Sequence, residues 1–255
     1  MRVIQIVFSP TGSTQKAADA LASEWGNAVE KVDLCDRNAD FESVSINNDD
    51  LVLVAVPSYA GRVPAVAAER MSKISAGNSK CVLLCVYGNR AYDDTLIEMK
   101  DICENCGFRV IAGVAAVAEH SIVRQYAAGR PDEKDVKTLN YFSRLILDKF
   151  NSANNGEKSI TVPGNSVYKK HSARGIVPEG DTNCISCGTC ARNCPVGAID
   201  VKNPKITDRN KCIYCMRCVS ICPVNARKVD ETLVDGIRLA IKDACSVRKE
   251  CEIYI

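Results

Sequence analysis

The stretch Cys184–Pro195, CISCGTCARNCP, recurs 28 positions later as Cys212–Pro223, CIYCMRCVSICP. Both copies read C-x2-C-x2-C-x3-C-P, and together they hold eight of the chain's fifteen cysteines: Cys184, Cys187, Cys190, Cys194, Cys212, Cys215, Cys218 and Cys222. Thiolates this closely spaced on a loop converge on three corners of a cuboidal iron–sulfur cluster, while the fourth, before a helix-opening Pro, points elsewhere. The spacing predicts two [4Fe–4S] clusters. Zinc and disulfides are the competing readings. A four-Cys zinc site usually shows two CxxC pairs across a longer spacer, without a third Cys two residues on. Disulfides need an oxidising compartment, and Met1-Arg2 runs straight into Val3–Phe8, too short for the apolar core of an export signal.

The motif pair is short, so a chain of 255 residues has room for a further domain ahead of it. With 46% hydrophobic residues it can build a core, yet no apolar run has the length of a membrane span. A net charge of +2 gives no sign of nucleic-acid binding. Residues 1–150 carry net −3 and the remainder net +5, a contrast that can help the halves dock or steer separate partners.

Residues 1–150 alternate apolar runs with helical patterns, which predicts βα units around a parallel sheet. The expected strands are Val3–Phe8, Val29–Leu34, Leu51–Val56, Lys80–Tyr87 and Arg109–Val117; the expected helices are Thr14–Trp25, Pro64–Ile74, Asp93–Cys106 and Asp132–Phe150. Pro64 suits a first helical turn, and Thr14 and Asp132 suit helix starts. The fold class is thus α/β, an open doubly wound parallel sheet of five strands buried on both faces. Residues 151–180 turn to Asn, Ser, Gly and Lys and read as a linker, part of it packed on a domain. Residues 181–228 hold the repeat, and 229–255 a helix (Leu233–Cys245) with a short apolar tail.

Open sheets of this kind bind ligands beyond the carboxyl ends of their strands. The first strand runs into Ser9, Pro10, Thr11, Gly12, Ser13 and Thr14 before a helix begins. Hydroxyls and backbone N–H groups there can hold a phosphate without a basic side chain. Neither a P-loop nor a GxGxxG is present, which favours a phosphate monoester of a small aromatic cofactor. The bland alternative makes Ser13 or Thr14 an ordinary N-cap. The third strand exits into Pro57, Ser58, Tyr59, Ala60 and Gly61, and the fourth into Gly88, Asn89, Arg90 and Tyr92. Each loop offers glycine for close approach and tyrosine to cover a planar ring.

On these residues the first 150 positions resemble a flavodoxin. Ser9-x-Thr11-Gly12-x-Thr14 resembles its FMN phosphate loop, and the Tyr59 and Gly88–Tyr92 loops resemble the pair that sandwiches the isoalloxazine ring. The repeat resembles a bacterial two-cluster ferredoxin, a small α+β domain. Nearly the whole chain is similar to flavodoxin–ferredoxin fusion proteins found mainly in anaerobes, in which Pro57–Pro64 and Tyr87–Tyr92 are typical stretches. The resemblance implies FMN and two [4Fe–4S] clusters with exchanged fourth ligands. One cluster then takes Cys184, Cys187, Cys190 and Cys222, and the other Cys212, Cys215, Cys218 and Cys194. Free-standing flavodoxins are strongly acidic, and this stretch is not.

Cys103-x2-Cys106, Cys35, Cys81, Cys85, Cys245 and Cys251 read as buried thiols. His120 reads as a solvated loop histidine, and Lys169, Lys170 and Arg174 as a solvated linker face. No residue is assigned a catalytic role. The expected function is an electron carrier in a reducing cytoplasm, relaying between FMN and the clusters to unidentified redox partner proteins. A flavin-dependent reductase of a small-molecule acceptor, using His120, Arg124, Gln125 or Tyr126 of the loop Glu119–Arg130, is the second expectation. A redox sensor is the third.

Overall fold

The computed structural model describes residues 2–26, 29–152, 159–170 and 175–255. Five parallel strands, β1 (Val3–Val7), β2 (Val29–Asp33), β3 (Leu51–Pro57), β4 (Lys80–Tyr87) and β5 (Arg109–Val117), lie in the order 2-1-3-4-5. That is the flavodoxin-like doubly wound order, whose switch point falls between β1 and β3. The Val/Ile/Leu/Ala runs are buried from end to end in β1, β3 and β4 because helices cover both faces. On one face α1 (Ser13–Leu21) and α4 (Glu133–Ser152) bring Ala17, Leu21, Leu139 and Phe142 onto the sheet. On the other, α2 (Ala65–Met71) and α3 (Thr95–Asn105) bring Ala67, Met71, Leu96 and Met99.

Helix boundaries differ from the expected ones for local reasons. Pro64 sits at the cap of α2 with ψ 124°, outside its first turn. Asp93 has φ +42°, so α3 cannot begin there. Asp132 does cap α4: its Oδ1 accepts from the N–H groups of Lys134 (3.0 Å) and Asp135 (3.1 Å).

The sheet has a sixth strand. Residues Glu252–Tyr254, expected to be only an apolar tail, form β8 antiparallel to Gly113–Ala115 of β5. Three residues are too few to show a strand period, and the open edge of β5 supplies the pairing groups. The linker is likewise more ordered than its composition suggested. Ile160 and Val162 are buried in the core beside α3, while Lys169 and Lys170 are exposed as expected, and Lys169 also ties the linker down: its N–H donates to Asp94 (2.8 Å) and its Nζ to Asp93 (2.8 Å). Much of the Asn151–Gly156 run, His171 and Arg174 lie outside the described residues.

Between β6 (Glu179–Gly180) and β7 (Arg227–Lys228), which pair antiparallel, the two cysteine runs fold alike. Helix α5 (Thr189–Arg192) maps onto α6 (Arg217–Ser220) at the 28-residue offset. The left-handed residues correspond too: Ser186 with Tyr214, Gly188 with Met216, and Gly197 with Asn225. This small α+β unit sits at the carboxyl end of the sheet. Arg70 donates to the Pro195 carbonyl (2.6 Å), and Arg37 lies 3.5 Å from those of Ala191 and Cys194. The cysteine unit is thus held by cations of the first 150 residues against its backbone oxygens, while Lys169–Asp93 (2.8 Å) and Arg248–Asp132 (2.6 Å) pair cations of the basic remainder with carboxylates of the acidic half. The described chain is completed by α7 (Glu231–Cys245), which leads back to β8.

Candidate functional site

A cavity of about 420 Å³ opens at the carboxyl ends of β1, β3 and β4, beside the switch point. Of the predicted cofactor residues, Thr11, Ser13, Thr14, Pro57, Ser58, Tyr59, Ala60, Gly61, Gly88 and Arg90 line it. Ser9, Gly12, Asn89 and Tyr92 do not, and each has other work. Ser9 Oγ accepts from the Gln15 N–H (2.9 Å), and Gly12 is the cap of α1 with φ +91°. Ser13 is thus the first residue of α1 rather than its N-cap, with its N–H at the exposed helix end. Tyr92 packs edge-on against Tyr87 and bonds Glu252 and Tyr254 of β8 (2.8 Å each).

Asn89 holds the C-terminal segment. Its Nδ2 donates to the carbonyls of Cys245 (3.1 Å) and Val247 (2.9 Å), and its Oδ1 accepts from the Lys249 N–H (3.0 Å). The Asn89 side chain is buried, and each bond is worth about 0.5–1.5 kcal/mol. Asn89→Ala is expected to loosen residues 245–255, seen as faster amide hydrogen exchange there while β1 and β3 keep their protection.

The Tyr59 loop is held as a two-residue reversal, with Tyr59 and Arg62 exchanging backbone bonds (2.9 and 3.1 Å) across Ala60 (φ +54°) and Gly61 (φ +84°). Glu98 anchors it from α3, accepting from Arg62 Nε and Nη2 (2.8 Å each) and from the Val63 N–H (2.8 Å). Gly88 is required by contact: a Cβ there would lie 2.9 Å from His120 Cα and 2.7 Å from its Cδ2. His120 is accordingly half-buried and lines the cavity rather than standing in solvent. Its Nδ1 accepts from the N–H groups of Ile122 (3.2 Å) and Val123 (3.1 Å), which leaves the neutral ring's proton on Nε2. Other loop residues turn away: Arg124 pairs with Glu119 (2.6 Å), and Tyr126 bonds the Arg238 carbonyl (2.9 Å).

Sequence reasoning missed the far wall. Asn210, Cys212, Ile213 and Tyr214 of the second cysteine run, with Ile241 of α7, close the cavity opposite the strand-end loops. Tyr59 faces this wall. Burial pushes its phenol well above the usual range, and the nearby thiols of Cys215, Cys35 and Cys212 add to the effect. No local pattern marks a contact made between residues this far apart in the chain.

Among the described residues no three His, Cys, Asp or Glu side chains gather tightly enough for a single metal ion. The second cysteine run nevertheless gathers with Cys194: Cys194, Cys212, Cys215 and Cys218 line one small cavity. Burial raises the Cys215 thiol, and Cys218, Cys194 and Cys212 raise it further; Cys218 and Cys212 also feel Cys194. In the other set the influence runs from Cys184 to Cys190. Both runs receive the same backbone donor, Ala198 N–H to Cys194 Sγ (3.3 Å) and Ala226 N–H to Cys222 Sγ (3.2 Å). Soft thiolates with N–H donors on their sulfurs fit an iron–sulfur cluster. The cavity also fits a flavin mononucleotide, with hydroxyls and a helix N-terminus at one end and Tyr59 and Tyr87 toward the other. Remaining cysteines are buried or nearly so, and burial pushes Cys35 up to about 12 and Cys106 to about 11, so both stay protonated at neutral pH.

Residues 167–227 match the family model described as a 4Fe-4S dicluster domain. Subunit I of the NADH-quinone oxidoreductase of Aeromonas salmonicida (strain A449) is 31% identical over 64 residues, covering 23% of this chain and 36% of that protein. The chain therefore spans about a third of the length of the curated relative it matches. Among solved structures, rubredoxin oxygen:oxidoreductase from the anaerobe Desulfovibrio gigas aligns with TM-score 0.44 and 16% identity over 60% of this chain and 37% of that one. A flavodoxin from the domain Archaea aligns with TM-score 0.43 and 12% identity over 59% of this chain and 99% of that one. The protein thus joins a 4Fe-4S dicluster region to an α/β sheet whose own strand order is that of flavodoxins.

Proposed function

We propose that this chain is an electron-transfer protein that relays electrons between FMN and two [4Fe–4S] clusters, and on to an external redox partner in an oxygen-poor, reducing cytoplasm. The observation that carries the reading is the shared cavity, in which the strand-end loops meet Cys212 of the cluster unit. FMN, when bound, exchanges electrons singly or in pairs while each cluster exchanges one, so the combination converts between the two currencies.

Residues 1–150, together with the returning strand β8, form the flavin unit; 151–180 connect it to the cluster unit at 181–228. Thr11, Ser13 and Thr14 hold the phosphate through hydroxyls and the first N–H groups of α1. Tyr59, Gly61, Gly88 and Arg90 position the ring, and Ile213 and Tyr214 exclude water from the side facing the cysteines. The clusters use the two ligand sets with exchanged fourth cysteines.

Protein purified without oxygen is expected to carry about eight irons and one FMN per chain. Photochemical reduction of the clusters should then bleach the flavin within the same molecule, at a rate independent of protein concentration. Eight irons with no flavin, even after FMN is added, would overturn the flavin half of the proposal. The reductase reading draws support from one feature, the placement of Glu119 and His120 on the cavity wall. Saturable flavin reoxidation by a small-molecule acceptor would favour it over the carrier.

A further inference from the structure

The two cysteine runs differ at one telling position. Where the first continues Pro195-Val196-Gly197-Ala198 into Ile199, the second continues Pro223-Val224-Asn225-Ala226 into Arg227. Arg227 is only 2% exposed. Its guanidinium donates to the carbonyls of Pro178 (2.5 Å), Pro204 (2.7 Å) and Lys205 (3.2 Å), to Thr207 Oγ1, and to Cys218 Sγ (3.9 Å). Its Nε is buried without a partner.

A buried charge is costly unless an opposite charge accompanies it. Among the described residues three arginines are buried: Arg130 pairs with Asp135, whereas Arg70 and Arg227 bond neutral oxygens and, for Arg227, the Cys218 sulfur. Among the described residues no carboxylate forms an ion pair with Arg227. Its charge instead faces the sulfurs: Nη2 lies 3.9 Å from Cys218 Sγ, and Nη1 bonds the Pro204 carbonyl that Cys190 Sγ also approaches, at 3.9 Å. Those thiols belong to both ligand sets.

We infer that Arg227 is the buried counter-charge shared by the two clusters, and that it raises the reduction potential of both. The inference rests on the electron-transfer reading above. A cluster held by either set would take up one electron from an external one-electron donor, with no bond made or broken and no proton moved. The added negative charge is favoured by a fixed cation in a low-dielectric surrounding. Ile199, the counterpart position, is apolar, so this cation serves both clusters from one side of the pseudo-repeat.

The test is a mediator titration followed by electron paramagnetic resonance on the full chain, comparing wild type with Arg227→Lys, Arg227→Gln and Arg227→Ile. With iron content intact, Gln and Ile are expected to lower both potentials. At a fixed ambient potential the reduced-to-oxidised ratio should fall at least tenfold, which is about 59 mV for one electron. Lys should stay near wild type. Retention of iron by Lys alone would also support the charge role, because Lys cannot reproduce the forked bonds to Pro178, Pro204 and Thr207. Wild-type potentials in iron-replete Gln or Ile variants would overturn it, and so would equal shifts in Lys and Gln. Iron loss in all three variants would assign Arg227 to folding alone. Wild-type protein without iron would fail the electron-transfer reading itself, before any variant is compared.

Discussion

Cys194→Ala is expected to destroy the cluster held by the second cysteine run, although Cys194 belongs to the first. Iron should fall from about eight to about four per chain. The resonance signal lost should be the one also lost in Cys215→Ala, while Cys187→Ala and Cys222→Ala remove the other. The physical ground is the small cavity that Cys194 lines together with Cys212, Cys215 and Cys218 of the second run. Because Cys212 lines the cavity, Cys194→Ala should also cut electron delivery to a bound flavin, whereas Cys187→Ala should leave that step in place. A Cys194→Ala spectrum matching that of Cys187→Ala would mean that each run ligates its own cluster with all four cysteines.

Gly61→Ala should be the most damaging single-methyl change on the flavin side. The residue has φ +84°, and its added Cβ would run into Asp93 Oδ2 and lie 2.6 Å from Asp93 Cβ. Backbone strain and overpacking each cost roughly 1–3 kcal/mol, so a loss of about 2–4 kcal/mol is expected in denaturant unfolding. The contact also displaces the Tyr59 loop from α3, so FMN affinity should fall by at least about tenfold, the equivalent of 1.4 kcal/mol. Gly236→Ala is the control. It lies inside α7 with nothing within 4 Å of its Cβ, and alanine there should stabilise by about 0.5–1 kcal/mol. Equal behaviour of the two variants would remove the steric argument for the Tyr59 loop.

The central elements were legible because their signals are local. β4 and β5 occupy the expected residues, Lys80–Tyr87 and Arg109–Val117, since seven or eight successive apolar positions between turn residues allow little else. The 28-residue repeat reappears as matched helices and left-handed residues. The three loops that line the cavity could be placed because strand ends and helix starts determine where they emerge. Asn89 and Tyr92 were expected at the flavin through their neighbourhood in sequence, yet their side chains serve the C-terminal segment. Neighbouring residues on a tight loop point in different directions, and residue type alone does not say which.

Short segments of the chain already specify the two cysteine runs, the parallel sheet and the loops at its carboxyl edge, because cysteine spacing and apolar period are local properties. Only the tertiary structure decided that β8 returns to the edge of β5, that His120 lies against Gly88, and that Cys212 and Tyr214 wall the cavity opposite Tyr59. Each of these joins residues distant in the chain or points a side chain from a loop. Their free energy comes from closing an edge, filling a gap or burying a ring, and such gains exist only once the sheet has brought the partners together.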